Sequence, residues 1–380
     1  MLDKHLVELK TGKMEITVDN AQIPLDELLT FGARQNPKRR YLFISKVLGK
    51  YIPCRPAVMR KSYQQLAREV VKASLPGKVW VLGVAETATA LGAGVAQEIQ
   101  SYGFDDLIYS HTTRYQLPHT VAFSIKEAHS HAPSHLIYEL NPPLQRAHVE
   151  TVVIVDDEIS SGKTLNQLTD ALCEQLPRLK TVIWACLVNW LSPEEQQNFK
   201  CRHPQIELTF STLLSGAFTF SVNKQVCVDL PEKTASGICS LDHHSDSART
   251  GYKVTGQAWN HHFSDENQHP LDITRFDRSK SYTVIGTGEF THQPFLFAEQ
   301  MEQSGFDVVM QSTARSPVSE GYGIQRKERF FDSAHEGVFY LYNRSENRHP
   351  IMLYETWDQY KHCQLRSRIH ATAGILSSPL

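Results

Sequence analysis

Two adjacent carboxylates stand where the sequence predicts the end of a buried strand. Residues 152–155 are all apolar and β-branched, as in a strand covered on both faces, and Asp156 and Asp157 follow them directly. Small residues come next, and leucines at helical spacing then predict a helix. Such a unit directs backbone N–H groups and a helix N-terminus at one point, which suits a phosphate group. Carboxylates beside it suit hydroxyl groups or a magnesium ion, so a sugar phosphate fits both.

The turn after the two aspartates admits other interpretations. Gly162, Lys163 and Thr164 match the end of the nucleotide-binding loop G-x-x-x-x-G-K-[ST]. That motif also requires glycine at position 157, where Asp157 stands, so the match fails at the first tight turn. A second alternative is an ordinary turn between a strand and a helix, with two solvated aspartates.

The segment as a whole resembles the signature of type I phosphoribosyltransferases, which use phosphoribosyl pyrophosphate (PRPP). That signature is four apolar residues, two acidic residues, two variable positions and a short run of Thr, Ser and Gly. The resemblance implies that Asp156 and Asp157 hold the ribose hydroxyls. The residues implied around the 5′-phosphate are Ser160, Ser161, Gly162, Lys163 and Thr164. Mg²⁺ is then the expected cofactor, bound through PRPP, with Asp157 as the candidate protein ligand.

A second loop is the candidate for the pyrophosphate group of PRPP. It follows a predicted strand at 79–84 and opens a helix, so its amides can face an anion. It resembles the pyrophosphate loop of adenine-type phosphoribosyltransferases but lacks the usual basic residue, a charge that we expect Arg114 to supply. The alternative role for Glu86 is to cap the helix N-terminus. The loop residues implied in binding are Ala85, Glu86, Thr87 and Ala88.

Residues 124–131 are the candidate for a lid over the site. They join two predicted strands through a polar segment without hydrophobic periodicity, which is typical of a mobile loop. The segment loosely resembles the flexible catalytic loop of orotate phosphoribosyltransferases. That resemblance implies that Lys126 holds pyrophosphate and that His129 or His131 transfers a proton. The implied catalytic residues are Lys126, Glu127, His129 and His131.

The most distinctive cluster in the C-terminal part is Thr-Ala-Arg-Ser-Pro at 313–317. Together with the upstream signature it resembles a bacterial family that joins a phosphoribosyltransferase domain to a C-terminal domain named after Thr, Arg, Ser and Pro (TRSP). That family occurs in tellurite-resistance and stress-response gene clusters, which implies nucleotide metabolism and a nucleoside-like product. Thr313, Arg315 and Ser316 would then lie on the acceptor side. The alternative is a strand end with a structural arginine.

The C-terminal part also looks like a second copy of the first. Residues 284–290 align with 81–87, and residues 312–315 align with 111–114. In place of the signature stand residues 350–356, which lack the aspartate pair and the Ser/Gly turn. We infer a duplicated sheet whose second copy has lost the sugar-phosphate site. The alternative is that two strand–helix–strand units look alike for general physical reasons.

The alternation of strands and helices predicts an α/β fold. We expect a doubly wound, mostly parallel sheet like that of type I phosphoribosyltransferases, followed by a second, degenerate α/β domain. Basic residues between positions 32 and 50 are either a solvated face or a hood over a charged substrate. The predicted divisions are an N-terminal extension or hood (1–75), a phosphoribosyltransferase domain (76–230), a polar linker (231–281) and a C-terminal domain of TRSP type (282–380).

Composition narrows the class of protein. The 380 residues carry a formal net charge of −2, so no basic excess indicates a nucleic-acid partner. Apolar runs are too short for a membrane span, and the N-terminus does not begin like a signal peptide. The 7 cysteines are scattered without a C-x-x-C pair, which predicts a reduced, cytoplasmic setting. The expected partners are PRPP and a small-molecule acceptor, and a homodimer is a candidate assembly.

These observations predict an enzyme that transfers phosphoribosyl from PRPP to a small nucleophile, a base or base-like acceptor, and releases pyrophosphate. One alternative is a non-catalytic PRPP or nucleotide sensor that regulates transcription. Another is an enzyme that cleaves a ribosyl phosphate with pyrophosphate or phosphate. The long polar lid favours catalysis over sensing, and no helix-turn-helix or basic patch favours DNA binding.

Overall fold

The structure is a computed structural model that describes residues 3–125, 135–228, 239–240, 247–255, 262–332 and 337–377. Within these ranges no helix is both long enough and apolar enough to cross a membrane.

The N-terminal half alternates strands and helices, as the apolar patterns predict. Its elements are β1 (Asp3–Leu9), β2 (Gly12–Ala21), α1 (Leu25–Leu28), β3 (Leu29–Ala33), β4 (Tyr41–Ser45), α2 (Pro56–Val70), β5 (Lys78–Gly83), α3 (Thr89–Ser101), β6 (Leu107–His111), β7 (Tyr115–Gln116), β8 (Val121–Ile125), β9 (His135–Tyr138), β10 (Val149–Ile159), α4 (Lys163–Gln175), β11 (Thr181–Asn189), α5 (Pro193–Arg202) and β12 (Glu207–Val222).

The C-terminal half contains the second α/β unit. Its elements are β13 (Cys239–Ser240), β14 (Tyr252–Lys253), β15 (His262–Ser264), β16 (Ser281–Gly286), α6 (His292–Gln303), β17 (Asp307–Ser312), β18 (Lys327–Asp332), β19 (Gly337–Tyr342), β20 (His349–Tyr354), α7 (Trp357–His362), α8 (Leu365–Arg368) and β21 (Thr372–Ser377).

The large sheet has the order β1-β2-β12-β11-β10-β5-β6-β14. Its central pairs, from β12 to β6, are parallel, whereas β2 and β14 join antiparallel at the two sides. Strand β10 lies in the middle, and its residues 152–155 are fully buried, as expected for a strand covered on both faces. The segment predicted as an N-terminal extension supplies β1 and β2 to this sheet, so it is integral to the fold.

The smaller sheet has the order β15-β21-β20-β16-β17. Strands β21, β20, β16 and β17 are parallel and occur in the same relative order as β11, β10, β5 and β6. An antiparallel hairpin is inserted at the same place in each half: β8–β9 between β6 and β10, and β18–β19 between β17 and β20. This shared topology is the one expected of the inferred repeat. The chain therefore has a mostly parallel α/β sheet and a second α/β domain.

Helices α2, α3 and α6 pack together where the two halves meet. The ring of Tyr63 on α2 stacks edge-on against Phe295 of α6, with centroids 5.2 Å apart. Arg60 reinforces this contact because its Nε and Nη2 lie 2.7 and 2.8 Å from the two carboxylate oxygens of Glu299. Gly94 of α3 lies directly against the Tyr63 ring. One apolar core thus spans both halves.

Substitution of Gly94 tests this packing. A Cβ at position 94 would overlap the Tyr63 ring, so Gly94→Ala should lower the free energy of unfolding by about 1–3 kcal/mol, despite the better helix propensity of alanine. Denaturant unfolding measures the change. The control is Ser101→Ala, an exposed position at the end of the same helix, which should leave stability nearly unchanged. A Gly94→Ala protein as stable as the control would contradict this packing.

Candidate functional site

The turn between β10 and α4 brings the two aspartates to the end of the central strand. Strand β10 continues beyond the predicted end at residue 155, through both aspartates, to Ile159. Asp156 Oδ1 accepts a hydrogen bond from the Asp157 N–H at 2.9 Å, and both side chains are half-buried. Gly162 then caps α4 with a left-handed φ of 67°. The N–H groups of the first turn of α4 have no intrahelical acceptor, so they can bind an anion.

Burial controls the charge of this aspartate pair. Burial raises the pKa of Asp156 well above its usual range, and the adjacent negative charge of Asp157 adds to the effect. Burial also raises the pKa of Asp157. Two carboxylates that resist ionisation in this way are stabilised by hydroxyl donors or by a cation. The site therefore suits a ligand that brings both hydroxyl groups and a bound cation.

The loop predicted to bind pyrophosphate (the cradle, residues 84–88) lies beside the aspartates because β5 pairs with β10. The Val84 N–H donates to the Val155 carbonyl at 2.8 Å, immediately before Asp156. The Ala85 N–H donates to Thr112 Oγ1 at 2.9 Å, and the Ala85–Glu86 peptide bond is cis. The two loops therefore share one edge of the sheet, where ligands bind in open α/β folds.

Thr112 is supported in turn by His135, whose Nδ1 lies 2.9 Å from Thr112 Oγ1. Both side chains are buried. Neither residue was singled out for the site from the sequence, because their roles depend on the β6 strand end and the β8–β9 hairpin meeting under the cradle.

Glu86 is held by cations from outside its own loop. Lys50 Nζ donates to Glu86 Oε1 at 2.8 Å and to the Gly288 carbonyl at 2.8 Å. Arg315 Nε lies 3.9 Å from Glu86 Oε2. Lys50 and Arg315 are only 4% and 8% exposed. The N-cap residue of α3 is Ala88, which has no side chain that could cap the helix. Stabilisation of the start of α3 by the charge of Glu86 stays a prediction.

Arg114, the predicted source of positive charge, is positioned through its backbone. Its N–H donates to Glu289 Oε1 at 2.8 Å, and the Thr113 hydroxyl donates to the other oxygen of Glu289. The contribution of its guanidinium to pyrophosphate binding stays a prediction. The predicted lid residues Lys126, Glu127, His129 and His131 lie outside the described residues.

The basic segment between positions 32 and 50 (the hood) contacts β10, the strand that carries the aspartates. Arg39 Nη2 lies 2.8 and 3.0 Å from the two carboxylate oxygens of Glu158, and its guanidinium lies 4.9 Å from the centroid of the Tyr41 ring. Burial raises the pKa of Glu158 to about 7, although the charge of Arg39 opposes the shift. The sequence placed Glu158 at a variable position of the signature, so this ion pair was missed. Lys46 instead donates to the Asp26 carbonyl, away from the strand end.

The Thr-Ala-Arg-Ser-Pro segment lies between the cradle and the hood. Thr313 Oγ1 accepts from the Gly288 N–H at 2.9 Å. The Arg315 guanidinium lies 5.0 Å from the ring centroid of Tyr115 and 5.4 Å from that of Phe339. The Ser316 carbonyl accepts from the Tyr342 hydroxyl at 2.8 Å. Arg315 is thus both a structural arginine and a neighbour of the cradle.

Main-chain hydrogen bonds attach the same segment to the hood. The Gln35 N–H donates to the Pro317 carbonyl at 2.9 Å, and the Ser319 N–H donates to the Ala33 carbonyl at 2.8 Å. The three predicted acceptor-side residues therefore belong to a segment in contact with both the hood and the cradle. Whether they bind the acceptor stays a prediction.

Comparison with known protein families identifies the class of protein to which this α/β chain belongs. Residues 28–217 match the model of a family described as phosphoribosyl transferase, which is half of the 380 residues. Residues 246–366 match the TRSP domain found C-terminal to it. The chain belongs to this phosphoribosyl transferase family and carries its TRSP domain, which confirms the resemblance found in the sequence.

Solved structures similar to the chain include an adenine phosphoribosyl transferase from Trypanosoma brucei, at 13% identity and a TM-score of 0.35, covering 55% of this chain and 86% of that one. An orotate phosphoribosyltransferase from Francisella tularensis has 12% identity and a TM-score of 0.31, covering 50% and 82%. A hypoxanthine-guanine phosphoribosyltransferase from Bacillus anthracis has 15% identity and a TM-score of 0.26, covering 39% and 74%. No curated protein matches the chain.

The Arg39–Glu158 pair gives a prediction about protonation. Arg39 lowers the pKa of Glu158, so Arg39→Ala should move that pKa upward from about 7. NMR titration of ¹³C-labelled glutamate carboxylates measures the shift, with Glu158→Gln identifying the resonance. The control is Arg202→Ala, at the end of α5. A pKa of Glu158 that stays constant or falls in Arg39→Ala would contradict the pairing.

Proposed function

We propose that the protein is a Mg²⁺-dependent phosphoribosyltransferase that transfers phosphoribosyl from PRPP to a small base or base-like nucleophile and releases pyrophosphate. The observation that carries the proposal is the Val84–Val155 hydrogen bond, which places a cradle of backbone amides directly beside an aspartate pair and a helix N-terminus. The family membership of the chain supports it.

Each part of PRPP has a matching part of the site. The ribose hydroxyls would donate to the carboxylates of Asp156 and Asp157, and the 5′-phosphate would accept from N–H groups around Gly162. The Ala85 and Ala88 N–H groups already donate to Thr112 Oγ1 and to the Val84 carbonyl. The pyrophosphate would therefore accept from the amides of residues 86 and 87, beside the buried Lys50. This arrangement fixes the ribose C1 between its leaving group and the hood.

In the proposed reaction, the bond from C1 to pyrophosphate breaks and the pyrophosphate leaves with the bonding electrons. The acceptor nitrogen donates its lone pair to C1 and loses a proton. The transition state carries positive charge on the ribose ring, so exclusion of water and stabilisation of the leaving anion are the tasks of the protein. The predicted lid would supply Lys126 for the anion and His129 or His131 for the proton.

Mg²⁺ fits the residues at the strand end. Among the described residues no group of three or more His, Cys, Asp or Glu side chains is arranged to hold a metal ion. Mg²⁺ commonly binds through substrate phosphates and only one or two carboxylates, which is what the aspartate pair offers, with Asp157 as the candidate ligand. When bound, the ion would neutralise charge on the pyrophosphate.

The hood is the proposed side of the acceptor. Arg39 of the hood pairs with Glu158 of β10 close to the aspartates. The pair keeps further guanidinium N–H donors and carboxylate lone pairs, and the edge of a base requires both a donor and an acceptor. Following the family resemblance, we also propose a cytoplasmic role in making a nucleoside-like metabolite during stress responses such as tellurite resistance.

The proposed activity is tested directly with the purified protein, Mg²⁺, PRPP and a panel of bases and amides. Release of pyrophosphate that depends on one acceptor supports transfer. Calorimetric binding of PRPP without release under any condition would favour a sensor. Absence of PRPP binding would overturn the proposal.

The aspartate pair should be essential for binding. Loss of a charge-assisted hydrogen bond costs about 1.5–3 kcal/mol, so Asp156→Asn combined with Asp157→Asn should abolish measurable PRPP binding while the fold persists. Calorimetry measures affinity, and circular dichroism monitors the fold. Glu174→Gln, an exposed carboxylate of α4, is the control and should bind normally. Unchanged affinity in the double variant would refute the assignment.

The turn after the aspartates should act through its backbone. Gly162 has a left-handed φ, and a Cβ there would lie 2.8 Å from Phe199, so Gly162→Val should cripple PRPP binding. Lys163 is exposed, so Lys163→Ala should weaken binding only modestly. Calorimetry on both variants, with thermal unfolding to verify the fold, gives the order of effects. A larger loss for Lys163→Ala would indicate a nucleotide-type loop instead.

A further inference from the structure

The two halves of the chain repeat the same hydrogen bonds at the ends of equivalent strands. The Thr112 N–H donates to the Gly83 carbonyl at 2.9 Å, and the Thr313 N–H donates to the Gly286 carbonyl at 3.1 Å. The threonine hydroxyls also correspond, because Thr112 Oγ1 accepts from Ala85 N–H at 2.9 Å and Thr313 Oγ1 from Gly288 N–H at 2.9 Å. The loop after β16 is therefore the structural counterpart of the cradle.

The two loops are joined across the domain boundary. Thr89 Oγ1 and Thr291 Oγ1, at the starts of α3 and α6, lie 2.7 Å apart. On one side of this contact, Glu86 of the first loop meets Arg315 of the second half. On the other side, Glu289 of the second loop accepts a hydrogen bond from the backbone N–H of Arg114 of the first half. Each loop therefore places its glutamate against the arginine-bearing strand end of the other half.

The counterpart of the sugar-phosphate site in the second half is closed. Leu353 pairs with Gly286 as Val155 pairs with Gly83, so Glu355 stands where the first half has Asp157. Arg249 Nη1 donates to Glu355 Oε1 at 2.5 Å. Both of these side chains and that of Glu289 are 0% exposed, which leaves no access for a ribose.

We propose that the C-terminal domain positions the cradle for the pyrophosphate group of PRPP. Arg315 holds Glu86 of the cradle, together with Lys50, which also donates to the Gly288 carbonyl of the C-terminal domain. This inference deepens the proposed function and rests on it. Arg315 and Lys50 are positioning residues that act through Glu86.

The physical reason is the cost of a poorly exposed charge. Glu86 is the one charged side chain of residues 84–88, and it is 13% exposed. Without cationic partners, a carboxylate in such a place is destabilised and moves towards water. The amides of the flanking residues would move with it, because the loop is short and its other residues are small or apolar. The turn after β10 makes its own contacts and should not be affected.

Calorimetry with PRPP and with ribose 5-phosphate distinguishes binding of the pyrophosphate end from binding of the ribose-phosphate end. Ribose 5-phosphate lacks the pyrophosphate and reports on the aspartate pair and the turn after β10, without the cradle. Arg315→Ala should weaken PRPP binding about tenfold or more, because it removes one of the two cations beside the poorly exposed carboxylate of Glu86. Its affinity for ribose 5-phosphate should stay within about twofold of the wild type. Arg315→Lys, which keeps the charge, should restore part of the PRPP affinity.

Two further variants keep the test decisive. Lys50→Gln acts on the same carboxylate from the hood and should give the same selective loss, even if Arg315→Ala folds poorly. Arg344→Ala is the matched control, since Arg344 pairs with Glu328 at 2.7 Å in the same domain and is 11% exposed. It should change neither affinity. Equal losses for both ligands, or no loss in either Glu86-directed variant, would overturn the inference while leaving the proposed function intact. Wild-type protein that binds no PRPP would overturn both.

Discussion

The site depends on the parallel pairing of β5 with β10. This pairing brings the ends of the two strands to a single edge of the sheet, although a helix, other strands and a hairpin separate them in the sequence. The Val84–Val155 hydrogen bond sets their register at that edge. A shift of one residue would turn each of Asp156 and Asp157 to the other face of the sheet and change their position relative to the cradle. Such a shift would also draw a carboxylate towards the fully buried positions of residues 152–155, which is costly.

Polar contacts of two poorly exposed glutamates join the two halves of the chain. Glu86 and Glu289 lie in poorly exposed loops, and each has a partner in the other half of the chain: Arg315 for Glu86, and Thr113 with the Arg114 N–H for Glu289. Glu86 also pairs with Lys50 of its own half. Removing one member of such a pair leaves a charge that is costly to keep buried. Together with the apolar core shared by α2, α3 and α6, these pairs make the domain boundary part of the folded core.

The sequence predicted the parts of the site that are local in the chain. The aspartate pair, the glycine turn and the cradle each occupy a few consecutive residues with a recognisable physical pattern. The long-range contacts of charged side chains could not be predicted in this way, because Arg39 and Glu158 are 119 residues apart and Lys50 and Gly288 are 238 apart. The basic run in the hood indicated cations near a ligand, but no pattern identified Glu158 as their partner. No sequence pattern predicted the Arg249–Glu355 ion pair. This pair fills the second-half counterpart of the sugar-phosphate site and forms only through tertiary packing.

The β1–β2 hairpin has a consequence for any shortened form of the protein. The second half of β12, from Leu214 to Val222, pairs with β2 on one side. A fragment restricted to residues 28–217, the part matched to the phosphoribosyl transferase family, would lack both strands of this hairpin. It would also end within β12, so the hydrogen-bonding groups of residues 214–217, which pair with β2 in the intact chain, would be left bare. Bare strands of this kind recruit other chains, so self-association of such a fragment would reflect a lost neighbour strand and not the quaternary structure of the intact molecule.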